Sequence, residues 1–424
     1  MLDINYIEEN KEAVIQRLAS RQITQAKTLV EEAIGINQER KKTQLGYDTA
    51  ACKANQLTKE IAQLITSGQS DTAASLKLQY KDLKTSIKEL ELQLQQHQKA
   101  LQAILYEIPN LPHKNVPLGK NEQDNKVIYQ VESLPVADKN TLPHWDLIEK
   151  YNIIDFKLGN QLAGAGFPVY RGKGARLQRG LINFFLDEAR KAGFEEIQPP
   201  IVANTASVYA TGQLPDKEGQ MYQLTDETLY LIPTAETPIT NLYRGKTLLE
   251  RQLPIQHVAY TPCFRREAGS WGKHVRGLNR LHQFDKVEIV VLTLPQLSYH
   301  QLEWMLNYIV ELVKKLGLPY RILSLCTGDI GFNAAYTYDI EVFSVGQNRW
   351  LEVSSISNFE TYQTNRMQTR YKDQQGNTHL LHTLNGSALA LPRIIAALLE
   401  INYDGNKIKM PEILKKYLDF DFIS

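Results

Sequence analysis

Apolar and aromatic side chains recur at helical spacing through the first quarter of the chain. Between residues 24 and 108 Gln, Lys, Glu, Leu and Ala dominate, and the first proline is Pro109. Heptad-like spacing on both sides of the polar break SGQSD, residues 67–71, predicts two long helices paired as an antiparallel hairpin. The positions, three and four residues apart, are Ala50, Ala54, Leu57, Ile61 and Leu64 before the break and Leu76, Tyr80, Leu83, Ile87, Leu90, Leu94, His97 and Leu101 after it.

The predicted hairpin would form an arm about 50 Å long, because a helix rises about 1.5 Å per residue. Such an arm either reaches a distant partner, pairs with a second copy as a coiled coil, or is simply a packed pair of helices, and its periodicity fits all three. Its Lys and Arg residues are accompanied by nearly as many acids, so most of this charge is a solvated surface. The residues Arg40, Lys41 and Lys42 and the lysines from Lys77 to Lys88 are nevertheless candidate phosphate contacts.

Beyond Pro109 the pattern changes from helical to alternating. Further prolines and a polar stretch reaching about Pro143 predict a linker over residues 109–143, between a domain 1–108 and a domain 144–424. In the last of these, alternating segments with hairpin-length connections lie between helical ones. This predicts an α+β fold with a mixed, largely antiparallel sheet and flanking helices. The strand-like segments are EEIQPPIV, LYLIPTAE, IQHVAYTPCF, FDKVEIVVL and WLEVSSIS.

Composition excludes several classes of protein. The chain has 48 Lys and Arg residues against 47 Asp and Glu, a net charge of +1, so any site for a polyanion has to be local. Scattered cysteines without a CxxC or HExxH pattern speak against a disulfide framework and a zinc site. The acidic amino terminus lacks the apolar core of a signal peptide, and no apolar run is long enough to span a membrane. We therefore expect a cytoplasmic protein without membrane association.

One hairpin carries the densest group of candidate binding residues. The segments TPCFRRE and HQFDKVEIV both alternate, and a long loop with glycines separates them. Period two predicts Arg265 and Glu267 on one face of the outgoing strand and Phe284 and Glu288 on one face of the returning strand. A guanidinium fits a phosphate, a carboxylate accepts from an amine, and a phenyl ring stacks on a base. The loop adds four cations that could close over phosphates or over a nucleic-acid end: Lys273, His274, Arg276 and Arg280.

These groups together are suited to a nucleotide. The sequence lacks both a P-loop and a strand-leading glycine motif, so a nucleotide would be held by side chains on a sheet. A solvated charged hairpin is the alternative interpretation.

Two further segments carry polar side chains at strand spacing. In LIPTAE, Thr234 and Glu236 would share a strand face and could position a small polar ligand. In WLEVSSISN, a carboxylate and two hydroxyls supply the hard oxygens that Mg²⁺ takes together with phosphate oxygens. Strict alternation puts Ser355 opposite Glu352, so their joint use requires the strand to bulge or end between them.

The segment HTLNGSALALPR combines a turn signal with a helix start. Asn385–Gly386 predicts a turn with Ser387 at its end, and Pro392 is tolerated at the first position of a helix. Arg393 would then lie in the first helical turn, where the helix dipole does not favour a cation. A binding role explains this arginine better than helix stability does, although a surface arginine at this position is not rare.

In this order, and behind a helical hairpin, the motifs resemble those of the seryl-tRNA synthetases, which are class II aminoacyl-tRNA synthetases. GFEEIQPP, residues 193–200, is similar to the family's motif 1, which builds a homodimer interface. The likeness extends over nearly the whole chain, through MLDINYIEEN, TGQLP, LYLIPTAE, FRREAGSWGKHVRGLNRLHQFDKVE, EVSSISNF and TLNGSALALPR.

The resemblance implies a role for each candidate residue. The catalytic residues would be Arg265, on the α-phosphate, and Arg393, which would stack on adenine opposite Phe284. Glu352 and Ser355 would hold Mg²⁺, and Glu288 and Ser387 would meet the serine hydroxyl. The implied ATP-binding set is Arg265, Arg266, Glu267, Phe284, Glu352, Val353, Ser354, Ser355 and Arg393. The implied serine-binding set is Thr234, Ala235, Glu236, Arg265, Glu288 and Ser387.

The implied reaction has two steps. The carboxylate of L-serine attacks the α-phosphorus of ATP to give seryl-adenylate and pyrophosphate. The terminal ribose hydroxyl of serine tRNA then takes the seryl group and AMP leaves, with selenocysteine tRNA as a further candidate. Domain 1–108 would bind tRNA through its arm, and 144–424 would be the class II catalytic domain of a homodimer.

Two other functions compete with this one. A catalytically silent paralogue would bind tRNA or a protein through the arm, but it would be expected to have lost the ATP and serine residues. A ligase that charges a carrier protein would lack the arm. This chain keeps both sets of features.

Overall fold

The computed structural model describes residues 1–225, 227–268 and 275–424, which form two compact units, residues 1–19 with 23–109 and residues 20–22 with 110–424. No described helix is both long and apolar enough to cross a membrane. The helices are α1 (Ile4–Glu9), α2 (Lys11–Ser20), α3 (Ala26–Thr66), α4 (Ser70–Glu107), α5 (His144–Tyr151), α6 (Phe156–Ala163), α7 (Gly172–Lys191), α8 (Thr205–Thr211), α9 (Glu236–Thr240), α10 (Ser298–Lys315), α11 (Tyr362–Met367) and α12 (Leu391–Ile401). The strands are β1 (Lys126–Gln130), β2 (Ile154–Asp155), β3 (Val169–Tyr170), β4 (Glu195–Glu196), β5 (Val202–Asn204), β6 (Leu229–Leu231), β7 (Thr247–Leu249), β8 (Ile255–Phe264), β9 (Gln283–Thr293), β10 (Tyr320–Ser324), β11 (Tyr336–Ser344), β12 (Arg349–Glu360), β13 (Arg370–Lys372), β14 (Thr378–Leu380), β15 (His382–Ala390), β16 (Ile408–Lys409) and β17 (Phe422–Ile423).

The first unit is dominated by the antiparallel pair α3 and α4, which confirms the predicted hairpin. Along α4 the predicted contact positions are half-buried or buried, and all the remaining residues from 77 to 100 are exposed. A Cβ on Gly46 would lie 3.6 Å from the Leu90 side chain, which shows at what level the two helices face each other. Since two helices alone line this seam, few of its side chains are fully removed from water.

The second unit is built on a sheet in which the described residues form eight strands in the order β1-β10-β11-β12-β15-β9-β8-β4. Its neighbouring strands are antiparallel, except that β4 runs parallel to β8. The predicted mixed, largely antiparallel sheet is therefore confirmed. Residues 109–143, which we expected to be a linker, contribute the edge strand β1.

Alternation along the strands turns one face of the sheet toward helices and the other toward a cavity. In β9, Val287, Ile289 and Val291 belong to a buried core shared with α7, α10 and α12. Phe284 and Glu288 of the same strand line the cavity. Burying a Val or Ile side chain contributes about 1.5–3 kcal/mol, so the packed face fixes the register that aims the polar residues at the cavity.

The predicted turn at Asn385–Gly386 is wrong, because both residues lie in the middle of β15. Gly386 faces Ile356 of β12 on one side and Ile289 of β9 on the other. Two flanking ladders override the local turn preference of an Asn-Gly pair. A Cβ on Gly386 would lie 3.2 Å from the Ile356 side chain, so glycine permits close packing here.

Two placements on strand faces are also wrong. Strand β6 ends at Leu231 and Glu236 begins α9, so Thr234 and Glu236 do not share a strand face. Strand β8 ends at Phe264, and Glu267 has a φ of 48°, which is not a strand conformation. The chain leaves the sheet there because the Arg266 amide bonds instead to the Gln220 carbonyl, at 2.9 Å.

Candidate active site

The polar face of the sheet lines a cavity of about 990 Å³. Three predicted residues are not among those that line it. Ala235 is buried in a neighbouring apolar cluster, Ser354 donates to the Ser387 carbonyl at 2.6 Å, and Arg266 lies outside the lining. The predicted residues that do line the cavity are Arg265, Glu267, Phe284, Glu352, Val353, Ser355 and Arg393 of the ATP set and Thr234, Glu236, Arg265, Glu288 and Ser387 of the serine set.

At one part of the cavity a cation lies over an aromatic ring. The Arg265 guanidinium carbon is 5.3 Å from the centre of the Phe284 ring. The Arg265 amide donates to the His282 carbonyl at 3.0 Å, which ties the residue to the returning strand of the β8–β9 hairpin. The Phe284 ring and the planar Arg265 guanidinium thus line the same part of the cavity, an arrangement suited to a base and a phosphate.

Glu267 is held in the cavity wall by an ion pair. Arg280 Nη1 lies 2.8 Å from Glu267 Oε2, and the carboxylate side chain is 13% exposed. Among the loop cations predicted to close over phosphates, Arg276 and Arg280 are described, whereas Lys273 and His274 lie outside the described residues.

A buried polar cluster occupies another part of the cavity. Glu288 is 2% exposed and pairs with Lys286, whose ammonium also donates to Thr234 Oγ1 at 3.0 Å. Ser387 lies opposite Glu288 on the neighbouring strand, with its Oγ 3.5 Å from Glu288 Oε2. A nearly buried carboxylate and a hydroxyl that meet in a cavity wall can recognise a small hydroxyl group.

Glu236 is a second buried carboxyl of the same cluster. Gln363 donates to Glu236 Oε1 at 2.5 Å, and Thr383 in turn donates to Gln363 Oε1 at 2.6 Å. Burial, together with the nearby charge of Glu288, raises the pKa of Glu236 to about 7. A ligand cation placed beside this carboxyl would favour its ionised form.

A bulge in β12 brings two oxygen ligands together. Glu341 of β11 faces Glu352 and the preceding residue, Ile340, faces Ser354, so Val353 is the extra residue. Ser355 therefore lies opposite Asp339 on the face that also carries Glu352, which is the condition that strict alternation did not meet. Loss of hydration and the Glu352 charge raise the pKa of Asp339 well above its usual range.

Arg393 is fixed by two backbone carbonyls. Helix α12 begins at Leu391 with Pro392 in its first turn, as predicted, and Arg393 follows. Its Nη1 donates to the Glu352 carbonyl at 2.7 Å and its Nε to the Asn279 carbonyl at 3.3 Å. These bonds explain a cation at the unfavourable end of a helix and keep the guanidinium in the cavity wall.

Sequence reasoning missed Lys286, Asn385 and Gln363. Lys286 lies midway between Phe284 and Glu288, so the period that selected those two residues could have selected it as well. Asn385 lines the cavity two residues before Ser387 but had been assigned to a turn. Gln363 is on α11 and no local pattern connects it with Glu236, so tertiary structure alone reveals it.

Two family models match the chain. The model of the seryl-tRNA synthetase N-terminal domain matches residues 1–112, and the model of the class II tRNA synthetase core domain (G, H, P, S and T) matches residues 221–402. The second match contains every cavity residue discussed above, and the first contains α3 and α4.

Full-length relatives agree with the family models. The chain is 43% identical over 423 residues to a serine–tRNA ligase of Salinibacter ruber, covering 99% of this chain and 98% of the relative. It is 42% identical over 429 residues to a serine–tRNA ligase of Chloroherpeton thalassium, covering both chains completely. The solved structure of a Pyrococcus horikoshii seryl-tRNA synthetase complexed with ATP superposes with a TM-score of 0.92 at 32% identity, covering 100% of this chain and 99% of that one.

Proposed function

The chain belongs to the seryl-tRNA synthetase family, and we propose that its cavity is where it activates L-serine with ATP before it charges serine tRNA. The reaction class is ATP-dependent ligation of serine to tRNA, and the roles of individual residues are our proposal. The observation that carries the proposal is that a hydroxyl-recognising pair, Glu288 with Ser387, and a cation over a ring, Arg265 with Phe284, line one cavity.

In the first step the serine carboxylate attacks the α-phosphorus of ATP. A carboxylate is ionised near pH 7, so this step needs no general base. The protein's contribution is to hold the two reactants in line and to neutralise the charge that develops on the phosphate. We assign the charge neutralisation to Arg265, and the binding of adenine to Phe284, Glu267 and Arg393.

A divalent cation fits the bulged part of β12. Glu352 and Ser355 are on one face there. The nearby Asp339 Oδ1 is one of the buried side-chain atoms in the described part of the chain that have no hydrogen-bond partner. The described residues contain no group of three or more His, Cys, Asp or Glu arranged to hold a metal, but Mg²⁺ usually takes one or two carboxylates together with phosphate oxygens. We propose that Glu352 and Ser355 would hold Mg²⁺, which when bound neutralises negative charge on the phosphates.

For the second step we propose that α3 and α4 contact serine tRNA. Long-helix structure with exposed cations is suited to an RNA backbone, which proteins recognise largely by shape and phosphate contacts. Selenocysteine tRNA is a further candidate substrate. Because translation in the cytoplasm consumes the charged tRNA, we expect the protein to act there.

We also propose a homodimer that pairs through residues 193–200. These residues contain β4, which lies at the edge of the sheet, and Glu195 there has a 71% exposed side chain. An exposed sheet edge offers unpaired backbone groups on which a second chain can pair. Sedimentation velocity at micromolar concentration should give twice the mass of the chain, and a monomer at that concentration would contradict this assignment.

The activity is tested by pyrophosphate exchange with Mg-ATP and each of serine, threonine and alanine, followed by charging of serine tRNA. We expect strong exchange with serine alone and then acylation. Absence of exchange from the folded protein would overturn the proposal and favour a silent paralogue whose arm binds tRNA.

Replacing Glu288 should damage recognition of the serine hydroxyl. We expect Glu288→Gln to raise the KM for serine by about tenfold to a hundredfold, because a hydrogen bond to a buried charge contributes about 1.5–3 kcal/mol. Discrimination against alanine should weaken at the same time. Glutamine is preferred to alanine here because its amide oxygen can still accept a hydrogen bond from the buried Lys286 ammonium, whereas alanine would remove this acceptor altogether.

The KM for ATP serves as the internal control for Glu288→Gln and should stay within about twofold of wild type. Unchanged serine kinetics in this variant would exclude the proposed role of Glu288.

The raised pKa of Glu236 predicts how serine binding depends on pH. The ionised carboxyl attracts the serine ammonium, so serine binds better as pH rises through about 7. The KM for serine should therefore fall, by up to about tenfold per pH unit below 7, and level off above it. KM values for serine measured from below to above pH 7, for wild type and Glu236→Gln, check this assignment. The KM of the variant should not depend on pH in this way, and a dependence that persists would assign the titration to another group.

A further inference from the structure

The first turn of α5 contacts the returning end of the long loop between β8 and β9. The Leu278 amide donates to His144 Nε2 at 2.9 Å. Trp145 and Asp146 meet Arg276: the guanidinium carbon is 4.7 Å from the centre of an indole ring, and Nη2 is 3.8 Å from Asp146 Oδ1. Three consecutive side chains of one helix thus hold three consecutive residues of the loop, 276–278.

His144 is at the centre of this contact and is fully buried. Since Nε2 accepts a hydrogen bond from a backbone amide, the ring proton is on Nδ1, which donates to Glu400 Oε1 at 2.9 Å. Glu400 also accepts from the His144 and Gly346 amides, at 2.9 and 3.1 Å, and from the Ser344 hydroxyl. These three donors, together with the imidazole, hold the Glu400 carboxylate in place. Its contact with Nδ1 in turn fixes the tautomer of the His144 ring.

The loop approaches the imidazole so closely that a side chain is excluded. Gly277 has a φ of 68°, and a Cβ there would lie 2.3 Å from His144 Nε2. The loop backbone is thus seated directly on the ring. Two neighbouring loop residues, Leu278 and Asn279, line the cavity.

A chain of hydrogen bonds connects this part of the loop with Arg393. The Asn279 carbonyl accepts from Arg393 Nε at 3.3 Å, and the Asn279 amide group donates to Gln347 Oε1 at 2.8 Å. Gln347 in turn donates to Glu400 Oε1 at 3.4 Å. The buried pair therefore supports Asn279 from two directions, through the loop backbone and through Gln347.

We propose that His144 is a positioning residue for ATP: it anchors the returning end of the loop so that the Asn279 carbonyl holds the Arg393 guanidinium in the nucleotide part of the cavity. The inference rests on the proposed function for the assignment of that part to ATP. His144 itself does not line the cavity, so its effect passes through Leu278, Asn279 and Arg393.

The test separates the two ring nitrogens. His144→Asn keeps a donor near the position of Nδ1 for Glu400 but ends before the Leu278 amide, whereas His144→Gln places an oxygen near the position of Nε2 and can accept from that amide. We expect the asparagine variant to weaken ATP binding about tenfold, the effect of leaving one buried donor unsatisfied, and the glutamine variant to stay within about threefold. The KM for serine should change less than about twofold in both.

A second pair of variants tests the contact from the loop side. Gly277→Ala should weaken ATP binding because its Cβ would displace the imidazole. Gly317→Ala is the matched control: Gly317 has a φ of 69°, and a Cβ there would meet no atom within 4 Å, so it carries the same backbone strain without the contact. This pair also decides the question if the His144 variants do not fold.

ATP affinity is measured by calorimetry on the full chain without serine or tRNA, alongside exchange kinetics. Equal effects of asparagine and glutamine, equal effects of the two alanines, or ATP and serine constants that rise together would overturn the positioning role. A wild type that binds ATP without exchange contradicts the proposed function, and the affinity comparison still decides on His144. A wild type that does not bind ATP contradicts both.

Discussion

Arg265→Ala is expected to lower the rate of serine-dependent pyrophosphate exchange by about a hundredfold to a thousandfold. Its guanidinium lies over the Phe284 ring in the cavity, where it would meet charge that develops on the α-phosphate. Loss of one such preorganised group costs about 2.7–4 kcal/mol in the transition state. The loss should be mainly in kcat. Arg265→Lys should recover part of it, because an ammonium retains the charge but not the planar fork of donors.

Arg244→Ala is the matched control for Arg265→Ala. Arg244 is outside the cavity lining, and its Nη1 bonds Ser207 Oγ at 3.0 Å. Exchange by this variant should stay within about threefold of wild type. The role of Arg265 would be rejected if its alanine variant retained exchange at the level of the Arg244 control.

Shortening the arm should separate the two steps of the reaction. Removing residues 48–88 and joining the helices with a short Gly-Ser turn leaves the level at which Gly46 faces Leu90. The catalytic residues all belong to the other compact unit, so exchange should remain within about twofold of wild type. Charging of serine tRNA should fall by at least about a hundredfold, because several phosphate contacts would be lost together.

Exchange by the shortened chain is the control for its folding, and melting curves should show an intact second unit. Two results would contradict the assignment of tRNA binding to the arm and of serine activation to the second unit. One is loss of exchange and charging in parallel, and the other is charging that survives the deletion.

Period was the most reliable source of prediction in this chain. The spacing of four and three residues located the seam of α3 and α4, because with two helices alone the apolar stripe is the one place where side chains can leave water. Period two located β8 and β9 and selected Phe284 and Glu288, since a sheet with one packed face and one polar face leaves no other register.

Predictions failed where tertiary contacts outweigh local preference. Asn385–Gly386 has the sequence of a turn, but a central strand needs its ladder bonds and a glycine that admits Ile356. Thr234 and Glu236 come together by a helix start and not by strand alternation. Gln363 and His144 could not be found at all, because their partners Glu236 and Leu278 are distant in sequence and connected to them by packing alone.

The bulge at Val353 has a consequence for how β12 tolerates change. Before it, Leu351 packs in the core and Glu352 lines the cavity; after it, Ser355 and Ser357 line the cavity and Ile356 packs in the core. The odd and even positions thus exchange roles within a single strand. Before Val353 the odd-numbered position of Leu351 must therefore stay apolar, and after it the even-numbered position of Ile356 must. Gain or loss of one residue here would invert half of the strand, which makes its length as constrained as its composition.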